Sequence, residues 1–97
     1  ASLSNAIQAH PDPEARRAFT AALGIGTLSY PDDRIAAFAA AQGISAIALA
    51  PALRAYAEAN DTTLHGFANG TPGYGHWNRQ GHAQAGALIA QALCAGL

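Results

Sequence analysis

At 97 residues, 51% hydrophobic and 11% charged, the chain is one domain or part of one and is too apolar to be disordered. A net charge of −1, no lysine and five scattered arginines exclude the basic footprint of a nucleic-acid binder. No run reaches the ~18 apolar residues of a membrane span, and a single cysteine, Cys94, excludes an internal disulfide and reads as a small buried helix residue.

Residues 1–8 mix small, polar and two larger apolar side chains, the pattern of a strand end running into a loop. His10-Pro11-Asp12-Pro13 then punctuates the chain, with Asp12 placed to cap a helix and Pro13 at its first position. Ala15, Ala18, Phe19, Ala22 and Leu23 give that helix an apolar stripe, and Gly24 stops it. A second helix is predicted from about Pro31–Asp33 to Gly43, acidic at its start as the helix dipole favours, presenting Ile35, Phe38 and Ala39. Ile44 to Leu49 is a short, nearly continuous apolar run, which predicts a strand covered on both faces. Pro51 opens a third helix with Leu53, Tyr56 and Ala57 on one side and Asn60 at its end. Helix, buried strand and helix in succession are the grammar of an α/β layer structure. With only weaker strand candidates at 1–7 and 63–67, the sheet is expected to be completed by a missing N-terminal half or a partner chain.

The chemistry is concentrated in Gly73-Tyr74-Gly75-His76-Trp77-Asn78-Arg79-Gln80-Gly81-His82. Gly73 and Gly75 let the backbone turn sharply, and Asn78 is a good N-cap for a last helix whose face is Ala85, Leu88, Ile89, Ala92 and Leu93. His76 then stands two residues outside that helix, and His82 lies in its first turn, where the dipole disfavours a protonated ring. His76 is read as the working residue, against the alternative of a loop histidine that hydrogen-bonds the last helix. His82 reads as a helper or a structural residue. His65, beside Gly66 and Phe67, is either a cleft or a turn histidine, and Trp77 either a cleft wall or a core anchor. Arg54 and Arg79 read as solvated or capping residues. The six-residue spacing of His76 and His82 fits no common zinc pattern, so neither a metal nor another cofactor is expected.

The His76-Trp77-Asn78 block, Gly81-His82 and the helix that follows resemble the C-terminal block of the SGNH/GDSL hydrolases. Tyr30-Pro31-Asp32-Asp33-Arg34-Ile35, Gly43-Ile44, Leu49-Ala50-Pro51 and Leu64-His65-Gly66-Phe67 are similar to the second half of bacterial members of that group. The resemblance implies part of a three-layer α/β/α sandwich with a parallel sheet. It also implies cleavage of a carboxylic ester, a lipid or an acylated carbohydrate, with His76 as general base toward a serine upstream of this chain. Where the resembled histidine is preceded three residues earlier by an orienting aspartate, this chain has Gly73. The ring of His76 is therefore expected to be held by a backbone carbonyl, or by a carboxylate such as Asp61. No Gly-Asp-Ser block is present, and Asn5 lacks the Gly-x-Asn-Asp frame of an oxyanion donor. The rival expectation is an inactive domain of the same fold acting as a carbohydrate-binding or assembly subunit. No signal peptide is legible, and periplasmic or secreted location stays open.

Overall fold

Capping residues set the helix boundaries. In the computed structural model of the chain, which describes residues 3–67 and 70–96, five helices follow in the order α1 (Asn5–Gln8), α2 (Pro13–Leu23), α3 (Tyr30–Gln42), α4 (Ala50–Asn60) and α5 (Arg79–Cys94). The Asp12 carboxylate accepts the Glu14 N–H at 3.0 Å to start α2, and Gly24, in the left-handed conformation, ends it. Pro31 and Pro51 sit in the first turns of α3 and α4, where a missing N–H costs nothing. Asn78 caps α5 by accepting the Gly81 N–H at 2.9 Å.

The parallel sheet and α/β/α sandwich predicted from sequence do not form. Among the described residues there is no sheet, and the β structure consists of one isolated antiparallel bridge, His65 to Trp77. The apolar run that suggested a buried strand is an irregular connection between α3 and α4, hydrogen-bonded to them only at its ends. Ile44 donates its N–H to the Ala39 carbonyl at 2.8 Å to close α3, and Leu49 already has near-helical angles ahead of α4. Ser45–Ala48 is what remains between them, with Ile44 56% exposed. Residues 1–8 correct a second expectation. Ala1 and Ser2 lie outside the described residues, and Asn5–Gln8 is a helical turn, its ends linked by a hydrogen bond from Asn5 Nδ2 to Gln8 Oε1.

The core is small and gathers on α4. Leu53 and Ala57 pack with Ala9 and Leu64, and Leu49, Tyr56, Trp77 and Leu88 close around them. α1 lies against α2 and α4, and α4 against α5. Burying Leu53 and Leu64 contributes roughly 1.5–3 kcal/mol for each side chain. Polar ties complete the frame. Gln8, itself buried, donates its amide to the Leu28 carbonyl at 2.8 Å and to the Asp32 carboxylate at 2.6 Å, holding the start of α3. Arg16 on α2 bonds to the His10 carbonyl and pairs with Glu58 on α4.

Several apolar stripes read from the sequence do not face this core. α2 buries none of its residues, and on α3 only Ala39 is buried while Ile35 and Phe38 are each 63% exposed. α5 turns its first half inward through Gly81 and Ala85, with Leu88 half-buried. Its second half extends past the core, leaving Leu93 63% exposed and Cys94 exposed rather than buried. No helix among the described residues is long and apolar enough to cross a membrane.

Candidate functional site

Two short segments, residues 63–66 and 76–78, are stitched together to place His76. Asn78 donates its backbone N–H to the Leu64 carbonyl at 2.9 Å, and Gly66 donates to the His76 carbonyl at 2.8 Å, on either side of the His65–Trp77 bridge. The Asn78 side chain acts twice, capping α5 and donating its amide to the Thr63 carbonyl at 2.9 Å. Close approach at this junction requires glycine at position 81. A Cβ there would run into the Leu64 carbonyl oxygen and lie 2.9 Å from the Trp77 Cβ.

The result is an open cleft of about 520 Å³ bounded by Asn5, His65, Phe67, Gly75, His76, Trp77 and His82. Three of the four histidines therefore share one cavity. His76 is exposed at its wall, and His82, also exposed, meets the Trp77 ring edge-on with centroids 5.6 Å apart. Trp77 is half-buried against the core and is also among the residues bounding the cleft.

The floor is organised by a residue that sequence reasoning set aside. Asn5 Oδ1 lies 3.1 Å from Trp77 Nε1 and 3.1 Å from His65 Nε2. An indole nitrogen can only donate, so the atom facing it is the amide oxygen, and the histidine nitrogen facing the same oxygen must carry its proton. His65 is thus held with hydrogen on Nε2. It is 3% exposed, and burial pushes its pKa below the usual histidine value, favouring the neutral ring. Asn5 is 60 residues from His65 and 72 from Trp77, a separation at which no local pattern signals the contact.

The proposed orienting groups for His76 are placed elsewhere. Asp61 ends α4 in the left-handed conformation, with φ 45°, and is not among the residues bounding the cleft. Gly73 is buried with φ 85°, donates its N–H to the His65 carbonyl at 2.9 Å, and has the His10 ring 3.3 Å from where a Cβ would stand. At φ 85° that position strains any residue with a side chain, and a Cβ there would press on the His10 ring. Among the described residues the His76 ring donates no hydrogen bond to a carbonyl or a carboxylate, and no three His, Cys, Asp or Glu side chains gather as a metal site would need. Neither a family model, nor a curated protein, nor a solved structure matches the chain.

Proposed function

We propose that the cleft receives a carboxylic ester and that His76 is the general base for its cleavage, acting on a serine hydroxyl supplied from outside these 97 residues. In that reaction His76 takes the hydroxyl proton as the serine oxygen bonds to the ester carbonyl carbon. It returns the proton to the alcohol as the old C–O bond breaks, and water repeats the sequence to release the acid and the serine. The observation that supports the reading is His76 itself. It is an exposed imidazole on the wall of a cleft, its backbone pinned by Gly66 and its following residues fixed by the Asn78 cap. The resemblance of His76-Trp77-Asn78 to the SGNH/GDSL hydrolases supports the chemistry, though not the sheet that resemblance implied.

The test is ester hydrolysis by the protein isolated from its natural source with whatever polypeptide accompanies it, compared with the same preparation carrying His76→Ala. General base catalysis contributes ~10²–10⁴-fold, so the variant should lose activity by that order with its helicity intact. Unchanged hydrolysis in folded His76→Ala protein would refute the mechanism. A second reading, a binding module for carbohydrate that no longer catalyses, draws on the absence of an orienting acid at Gly73. It predicts sugar binding without hydrolysis in that same preparation.

A further inference from the structure

The five arginines are scattered along the sequence, but the fold gathers three of them. Arg16 and Arg17 on α2 and Arg54 on α4 bound a pocket of about 190 Å³ whose other walls are Pro13, Thr20 and Leu28. No carboxylate bounds it among the described residues. Arg16 bonds to the His10 carbonyl and pairs with Glu58, its side chain only 13% exposed. Arg17 pairs with Glu14 on the open surface, both side chains more than half exposed, and an exposed pair of that kind yields readily to a better acceptor. Arg54 is half-buried and, among the described residues, enters no hydrogen bond or ion pair. The sequence suggested a solvated or capping role for it. In the fold it is a cation partly withdrawn from water with no counter-ion, an unfavourable state that an anion would relieve.

The ligand that fits is small. With a net charge of −1 over the whole chain, the positive charge is local and offers no track for a polyanion. The volume also lies below the ~300–1,000 Å³ of sites for drug-sized molecules. Guanidinium forks match the oxygens of carboxylates and phosphates. A carboxylate is filled by one fork, whereas a phosphate dianion has oxygens enough to accept from Arg17 and Arg54 together. Such a bridge would have a structural consequence. α2 buries none of its residues and is tied to α4 by the Arg16–Glu58 pair, so an anion between Arg17 and Arg54 adds a second tie.

We infer that this pocket binds the phosphate group of a small molecule, as the free ion or as a monoester, between Arg17 of α2 and Arg54 of α4. It shares no residue with the cleft of His76 and does not depend on ester cleavage. The test follows the arginine side-chain N–H signals by heteronuclear NMR at constant ionic strength and about pH 7, where a phosphate monoester is largely dianionic. Inorganic phosphate and phenyl phosphate are the probes. Saturable shifts of Arg17 and Arg54 are expected, with Arg34 and Arg79, which do not bound the pocket, unmoved. Tighter binding of phenyl phosphate identifies a monoester and tighter binding of inorganic phosphate the free ion, and either supports the site. Acetate should bind at least about tenfold more weakly than the tighter of the two. Arg54→Gln should weaken that ligand by about tenfold or more, the loss of a charge-assisted contact. Arg17→Gln changes only an exposed side chain and should weaken it as well, which keeps the test decisive if Arg54→Gln does not fold. Shifts that never saturate, acetate binding as tightly as phosphate, or unchanged affinity in either folded variant overturns the inference.

Discussion

His65 concentrates the electrostatics of the cleft in one side chain. Because burial lowers its pKa in the folded protein, the unfolded chain binds more protons than the native one as the solution is acidified. The sign follows. His65 contributes stability above the unfolded histidine pKa of ~6.5, and that contribution is lost as pH falls through the lower folded value. Urea midpoints at pH 7.5 and pH 5 should show the decline. His65→Gln keeps an N–H for Asn5 but cannot titrate, so it should flatten the pH dependence. An equal decline in wild type and variant would assign it to other groups. None of this was readable from the sequence, where His65 is a histidine before a glycine. Its burial depends on Asn5, and on the bridge to Trp77, both reached only through the fold.

At the scale of elements, α5 supplies its own control. Gly81 and Gly86 both lie in this helix, and on propensity alone alanine is better than glycine by about 1 kcal/mol at either. At Gly86 nothing lies within 4 Å of an added Cβ, so Gly86→Ala should stabilise by about 0.5–1 kcal/mol. At Gly81 the Cβ meets the Leu64 carbonyl and Trp77, and relieving such overpacking costs about 1–3 kcal/mol, which outweighs the propensity gain. Gly81→Ala should therefore destabilise and disturb the Trp77 emission. Opposite signs from thermal denaturation are the expected outcome, and the same sign at both positions would contradict the packing described. The boundaries of these helices were legible because caps are local: Asp12, Gly24, Gly43 and Asn78 each act within a few residues. Asn78 and the loop before it were legible for the same reason, and with them the place of His76. Strand pairing is not local. Ile44–Leu49 has the composition of a buried strand, but composition cannot supply neighbours, and in their absence the capping bonds of α3 and α4 take its ends.

The whole molecule is looser than its mass suggests. A folded monomer of 9.8 kDa is expected to expose about 5,200 Å², whereas this chain exposes 6117 Å². Its radius of gyration is 14.1 Å, against about 12.5 Å for a compact domain of 97 residues. The excess includes the outer side of α3 and the segment after it, where Ile35, Phe38 and Ile44 are each more than half exposed and a groove of about 140 Å³ runs between Ile35, Ala36 and Ala46–Ala48. Stability should therefore divide sharply between two sets of apolar residues. Leu53 is fully buried among Ala9, Ala57 and Leu64, so Leu53→Ala should cost about 2–5 kcal/mol, a large share of a small domain's stability. Ile35 and Phe38 lose little contact when removed, so the double change Ile35→Ser, Phe38→Ser should alter stability by no more than about 1 kcal/mol. A dye that fluoresces on apolar surface separates exposure from packing. The native chain should bind it, and the double variant should lose most of that signal while its thermal midpoint moves by less than roughly 4–8 °C. If instead the double variant unfolds and Leu53→Ala does not, the side chains of α3 hold the fold together and the core does not lie on α4.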